Sequence, residues 1–191
     1  EKYDEEFCRT WTNMPYLINP ETRLTLKATE AGLPGTDEDY VIWDPASNAP
    51  VVVTYPFNEG VAAPLFGTFE VNGMQCPTGG QLLKESCEEW TLEKGAEICW
   101  LDAGQIERAL EIYTDPNGQS GIMQGVCIDQ YVQSQQCALG ALNLEFLMGN
   151  VEKPGTMLQK FAPAPCKDQL GNTPRLLSKE KVMKRCGTIE H

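Results

Sequence analysis

Residues 40–55, with the sequence YVIWDPASNAPVVVTY, carry the clearest signal for the fold class. Two runs of β-branched and aromatic residues, 40–43 and 51–55, lie on either side of the turn-forming segment 44–48. Val, Ile, Trp and Tyr fit the pleated surface of a strand, whereas Asp, Pro, Ser and Asn favour a turn. The stretch therefore predicts two short strands joined by a turn.

Further strands are predicted on both sides of this stretch. Residues 22–28 alternate polar and apolar side chains, which is the period of a half-buried strand. Residues 65–71 form another candidate strand, and the Asn72-Gly73 pair that follows is a strong hairpin signal. Residues 121–132 and 139–148 also alternate, and we interpret them as strands because of their glycines. A single helix over residues 129–148 is the alternative.

Helical patterns occupy the middle of the sequence. Residues 81–93 are predicted to form one helix, and Asp102 is predicted to cap a second. In the second helix Ile106, Leu110 and Tyr113 share one face, because they lie about one helical turn apart. We expect this face to line the core.

A third helix is predicted to begin at Thr173-Pro174, since proline is favoured in the first turn of a helix. Three helices beside several strands predict an α+β fold with a mostly antiparallel sheet. A chain of 191 residues is long enough for one sizeable core. We predict a single domain over residues 1–191, with a boundary near residues 73–80 as the alternative.

Cysteine and histidine usage is the most informative part of the composition. There are eight cysteines and one histidine, His191. The cysteines are Cys8, Cys76, Cys87, Cys99, Cys127, Cys137, Cys166 and Cys186. An even number without a Cys-x-x-Cys spacing predicts disulfides rather than metal ligation, so we expect all of them to be paired. Cys127–Cys137 and Cys166–Cys186 are the favoured pairs, and the predicted location is extracytoplasmic: secreted, on the cell surface or in an oxidising lumen.

Acidic residues dominate the charge. Asp and Glu number 27 against 15 Lys and Arg, which gives a net charge of −12. Nucleic acids and anionic membranes bind through Lys and Arg, so an acidic chain disfavours both partners. No run in the sequence approaches the roughly 20 apolar residues that a membrane helix needs. We therefore expect no nucleic-acid partner and no insertion into a membrane.

Few catalytic chemistries fit this composition. Ser-His-Asp and Cys-His catalysis need an imidazole beside the nucleophile, and the single histidine is the last residue. The glycine motifs of nucleotide binding and the usual zinc spacings are absent from the sequence, so we predict no cofactor. A carbohydrate-active enzyme with paired carboxylates is the alternative function, since Glu88, Glu89, Asp102 and Glu107 flank tryptophans. Calcium is a weaker expectation at residues 36–39 and 115–120, which depart from the EF-hand pattern.

The loop at residues 55–66 is unusually apolar for a segment with two prolines and a glycine. Phe57, Val61, Leu65 and Phe66 are its large apolar residues, and we take them as candidate partner contacts. Such a loop either meets a partner or folds back over the core. The predicted function is a non-enzymatic binding or structural protein, such as an effector, a surface protein or an assembly component. It would act through contacts with another protein or with a second copy of itself.

Overall fold

A computed structural model describes residues 2–54, 60–115, 120–123 and 132–156 of this chain. The chain divides into two units, Glu1–Met157 and Leu158–His191, and all the described residues belong to the first. The predicted helix at Thr173 and the predicted Cys166–Cys186 pair lie outside the described residues. The single domain and the alternative boundary near residues 73–80 stay predictions.

Five helices and four strands are present among the described residues. The helices are α1 (Glu5–Trp11), α2 (Gly79–Cys87), α3 (Leu92–Cys99), α4 (Ala103–Tyr113) and α5 (Ser134–Leu147). The strands are β1 (Tyr40–Asp44), β2 (Ala49–Val53), β3 (Thr68–Val71) and β4 (Met74–Pro77). The α+β class is confirmed, and the helices outnumber the three that were predicted. None of these helices is long and apolar enough to cross a membrane.

The first hairpin forms where the sequence predicts it. β1 pairs antiparallel with β2, with Val41 opposite Val52. The Asp44 carboxylate holds the turn, because it accepts the Ser47 hydroxyl at 2.7 Å and the Ala46 N–H at 2.9 Å. These hydrogen bonds lower the pKa of Asp44, since they favour its charged form.

The second hairpin pairs β3 with β4 across the predicted Asn72-Gly73 turn. Both turn residues have positive φ, 48° for Asn72 and 84° for Gly73. Two consecutive residues with positive φ make the tight turn that matches the right-handed twist of a hairpin. The hairpin signal in the sequence is confirmed.

Residues 16–18 connect the two hairpins. Leu17 N–H donates to Val41 O at 2.9 Å, and Ile18 N–H donates to Pro77 O at 2.8 Å. Tyr16 also forms a bridge to Ile42. The strands are thus two antiparallel pairs joined by one short segment, whereas the sequence predicted a single mostly antiparallel sheet.

The core lies around this connecting segment. Leu17 and Leu26 are fully buried, and they pack in one cluster with Val41 and Val71. Among the described residues, Ala96 is the only buried apolar side chain that follows Cys76. Residues 8–77, which include both hairpins and the segment that precedes them, therefore hold nearly all of the described buried apolar side chains.

Three predicted elements differ from the structure. Residues 22–28 make two isolated bridges, at Thr25 and Lys27, instead of a strand. The predicted helix over residues 81–93 is divided into α2 and α3, because the Thr91 hydroxyl accepts the Lys94 N–H at 3.2 Å and caps a new helix. Residues 139–147 lie in α5, which begins at Ser134, so they are helical rather than a strand and closer to the alternative of one helix over residues 129–148; a short apolar run fits either period.

The cysteines do not form the predicted disulfide framework. Cys8, Cys76, Cys87, Cys99 and Cys137 carry free thiols, and the first two are buried. Burial, with a smaller contribution from the Asp4 charge, raises the pKa of Cys8 from 9.0 to about 11. The buried cysteines thus pack as small apolar residues, and the exposed ones are surface thiols. The number of cysteines in a sequence does not distinguish either kind from cysteines that form disulfides. Cys127, Cys166 and Cys186 lie outside the described residues.

Candidate functional site

The predicted contact residues in the 55–66 loop lie in different environments. Leu65 is buried with Cys8 and Met14, and Phe66 packs against the edge of this cluster. The Phe66 ring meets Tyr3 edge-to-face at 5.8 Å between centroids. The structure brings these two predicted residues to one cluster, which anchors the end of the loop to the core.

Val61 packs against a second cluster, formed by Tyr16, Ile42, Val53 and Ala63. It also lines a concave pocket of about 320 Å³ beside this cluster, together with Arg9. Arg9 donates from Nε to Ala63 O at 3.0 Å and pairs with Glu5. Phe57 lies outside the described residues. The assignment of the loop as a partner contact stays a prediction.

Exposed apolar side chains concentrate instead in residues 90–113, which we call the helix-pair region. Trp90, Ile98, Leu101 and Ile112 are each more than half exposed. On the α4 face predicted to line the core, Ile106 and Tyr113 are half-buried and Leu110 is 45% exposed. Amphipathic spacing shows which side chains share one face of a helix. It does not show whether another part of the protein covers that face, so spacing alone could not predict its burial.

Trp100 is the most exposed tryptophan of the described chain, at 95%. It ends α3 with left-handed backbone angles, φ 54° and ψ 37°, and its N–H donates to Ala96 O and Glu97 O. This backbone conformation favours glycine, and a bulky residue adopts it at a cost of roughly 1–2 kcal/mol. The sequence analysis missed this residue, since a tryptophan is not a usual helix-ending signal.

Acidic residues surround the helix-pair region. Glu88, Glu89, Asp102 and Glu107, the predicted catalytic candidates, are all exposed. Asp102 caps α4 as predicted, because its carboxylate accepts the Gly104 N–H at 2.9 Å. Glu89 lies 3.4 Å from Lys94 Nζ. Two of the four carboxylates therefore have structural partners, and the carbohydrate-active alternative stays a prediction.

The calcium expectation at residues 36–39 falls on a closed hydrogen-bonded loop. Asp39 accepts from the Thr54 hydroxyl at 2.7 Å and from the Thr36 N–H and hydroxyl at 2.7 and 2.8 Å. These donors lower the pKa of Asp39. Within the ranges that the structure describes, no group of three or more His, Cys, Asp and Glu could hold a metal ion. Of the second calcium candidate, residues 116–119 lie outside those ranges.

A buried carboxylate on α5 is a feature that the sequence analysis missed. Glu145 is fully buried, and its Oε1 accepts the Ile122 N–H at 2.8 Å. Its Oε2 is buried and has no hydrogen-bond partner among the described residues. Burial raises the pKa of Tyr113, the Asn150 side chain opposes the rise and the Glu145 charge adds to it. The Glu145 contact attaches residue 122 to α5.

Comparison with known proteins shows a distant similarity to part of a longer enzyme. The chain matches no protein-family model. It is 25% identical over 157 residues to a Halobacterium salinarum protein that carries the provisional name of a dimethyl sulfoxide reductase catalytic subunit. The matched region is 82% of this chain and 18% of that protein. The chain therefore spans less than a fifth of the length of the relative it resembles.

Proposed function

We propose that this chain is a segment of a catalytic subunit of the dimethyl sulfoxide reductase kind, and that it contributes protein contacts rather than reacting groups. The observation that carries the proposal is the similarity over 157 residues to a protein with that name. A match that covers most of this chain and a small part of its relative is what a segment of a longer polypeptide would give.

The exposure of several apolar side chains supports a role in protein contacts. Trp100 is 95% exposed, and the neighbouring Ile98 and Leu101 are also more than half exposed. Soluble proteins expose single apolar residues routinely, but a concentration in one short region is typical of an interaction surface. A segment whose neighbours in a longer polypeptide cover it would carry such a region.

The polar side chains of the described chain support the same role. Asp44 and Asp39 close loops, and Thr78, Thr91 and Asp102 cap helices. Each of these groups already has the donors or acceptors that fix local backbone. They hold the scaffold that presents the exposed apolar surface.

The extracytoplasmic location remains a proposal. Its support in the sequence was the disulfide framework, and the five free thiols remove that support. The carbohydrate-active alternative has two exposed carboxylates in its favour, Glu88 and Glu107. Retaining and inverting glycosidases need two facing carboxyl groups about 5–10 Å apart, so that separation would have to be found in a cleft.

The test is the activity of the longest natural polypeptide that contains residues 1–191. Purified polypeptide would be given dimethyl sulfoxide and dithionite-reduced methyl viologen, and dimethyl sulfide would be measured by gas chromatography. The reaction takes two electrons from the viologen and two protons, and releases dimethyl sulfide and water. We expect viologen oxidation to follow the appearance of dimethyl sulfide, with heat-denatured polypeptide as the control. A reading frame no longer than this chain, or a folded long polypeptide that forms no dimethyl sulfide, would contradict the proposal.

A further inference from the structure

We propose that the helix-pair region docks into a protein surface that has an apolar recess for Trp100 and a rim of Lys and Arg. This surface belongs to the part of the longer polypeptide outside these 191 residues. The inference rests on the proposed function, because it takes the chain to be a segment of that polypeptide. It goes beyond the proposed function because it names the helix-pair region as the contact surface and states the chemistry of the partner surface.

Trp100 is the anchor of this contact. Its side chain is 95% exposed, and its backbone adopts a left-handed conformation that a glycine would adopt without strain. Because the Trp100 side chain is exposed, packing within the described chain does not explain why a tryptophan occupies this strained position. Tryptophan is enriched among the few residues that dominate binding energy, because its large ring fills a pocket and excludes water. Packing in a recess of a second surface would offset the backbone strain.

The apolar contact extends beyond this residue. α3 and α4 pack against each other, and Trp100 and Leu101 lie between them in the chain. Ile98 and Ile112, at 58% and 59% exposed, add apolar surface on either helix. An apolar centre with a polar rim is the usual composition of a protein interface.

Charge defines the partner and argues against self-association. The helix-pair region together with the preceding Glu88 and Glu89 contains seven acidic and two basic residues, a net charge of −5. Both basic residues already pair with acids of this set, Lys94 with Glu89 at 3.4 Å and Arg108 with Glu111 at 2.9 Å. Two copies of this surface would bring like charges together, whereas a surface rimmed by Lys and Arg would be complementary.

The length of the relative supplies the occupant. The matched region is 18% of the Halobacterium salinarum protein, so more than four fifths of that polypeptide has no counterpart in the match. A segment inside such a polypeptide has its neighbours at a high effective concentration. The rest of the same polypeptide is therefore the partner to which we commit.

Oxidative footprinting tests the inference. Hydroxyl radicals would label the 191-residue chain and the longest natural polypeptide that contains it, and mass spectrometry would give the oxidation rate of each residue. We expect Trp100 to be oxidised about five-fold or more slowly in the longer polypeptide, as for an anchor that becomes fully desolvated. Leu24, which is 68% exposed, is the internal reference; it lies in residues 2–78, which we call the hairpin half. Equal Trp100 rates in the two samples would overturn the docking inference.

Two pairs of variants test the anchor and the rim. In the longer polypeptide we expect Trp100→Ala and Glu97→Lys to lower the melting temperature, while the matched Leu24→Ala and Glu21→Lys do not. In the 191-residue chain all of these variants should melt within about a degree or two of the wild type, as surface substitutions do. If Trp100→Ala lowers the melting temperature equally in both proteins, the side chain acts within the chain and the inference fails.

The two proposals fail in different ways. Dimethyl sulfide formation with an unprotected Trp100 would leave the proposed function in place and overturn the docking inference. A protected Trp100 in a polypeptide that forms no dimethyl sulfide would support the docking surface and overturn the proposed activity. A natural reading frame that ends with these 191 residues would overturn both.

Discussion

The hairpin half of the molecule and the helix-pair region treat their apolar side chains in opposite ways. In the hairpin half Leu17, Val41 and Val71 are fully buried by one another and by their neighbours. In the helix-pair region Ile98 and Trp100 stay exposed although both helices are well capped. Local signals thus suffice to form α3 and α4, but burial requires a surface that the described part of the chain does not provide. The comparison separates a region that completes its own core from one that presents surface to a neighbour.

Thiol labelling should give the largest difference, between the buried thiols of the hairpin half and the exposed thiols on α2, α3 and α5. We expect iodoacetamide to label Cys87, Cys99 and Cys137 in the native chain, because these thiols are exposed. Cys8 and Cys76 are buried in the hairpin half and react only when the structure opens, which slows labelling about a thousand-fold or more for an opening free energy near 4 kcal/mol. Peptide mass spectrometry after timed labelling measures the rates. Intact disulfides at these five positions would contradict the structure.

Removal of a core side chain should cost the hairpin half a large part of its stability. Leu17 is fully buried at the segment that joins both hairpins. We expect Leu17→Ala to lower the free energy of unfolding by about 3–5 kcal/mol, as large-to-small core substitutions do. Leu24→Ala is the matched control, since Leu24 is exposed and should lose less than about 0.5 kcal/mol. Equal losses in urea titrations would show that the two leucines are not distinguished by burial.

Alkaline pH should weaken the hairpin half through Cys8. Burial, and to a lesser degree Asp4, raises the pKa of this thiol from 9.0 to about 11, so the folded chain keeps a proton that the unfolded chain releases. The stability from the neutral thiol is complete below pH 9 and is lost as the pH rises to about 11, by about 2–3 kcal/mol. Urea unfolding between pH 8 and 11 measures this slope. The decline should be smaller in Cys8→Ala, and an identical decline in both proteins would assign it to other groups.

The two threonine caps offer a smaller test of the same comparison. The Thr78 hydroxyl is buried, donates to Leu65 O at 2.8 Å and accepts the Gln81 N–H at 3.1 Å. Thr91 is exposed, and its hydroxyl accepts the Lys94 N–H at 3.2 Å and hydrogen-bonds to the exposed Glu93 carboxylate. We expect Thr78→Val to cost about 1–3 kcal/mol and Thr91→Val about 0.5–1 kcal/mol, because only the first leaves a buried carbonyl without its donor. Chemical denaturation of both variants measures the two losses in stability. A larger loss for Thr91→Val than for Thr78→Val would contradict the prediction.

The smallest effect is expected at the face of α4 that the spacing placed in the core. Leu110 is 45% exposed. Leu110→Ala should therefore lower the free energy of unfolding of the 191-residue chain by less than about 1 kcal/mol, because little packing is lost. Thermal and urea unfolding measure the change. A loss of about 2 kcal/mol or more would mean that this face is covered within the chain.

Several elements can be predicted from the sequence because their signals are local. β-branched residues around the Asp44 turn specify the first hairpin, Asn72-Gly73 specifies the second, and Asp102 begins α4. The reason is that turn geometry and helix capping depend on residues within a few positions of one another. The α+β class follows from these elements.

The way in which these elements are covered and connected depends on long-range packing, which local patterns do not encode. Residues 16–18 join hairpins more than twenty residues away in the chain, which no local pattern encodes. The same physical limit applies to Leu110 and Trp100, whose exposure depends on surfaces distant in sequence. It applies to the cysteines as well, since a disulfide requires two thiols at a set distance and the count alone gives no distance. Spacing therefore fixed which side chains share a face, and long-range packing fixed which faces are buried.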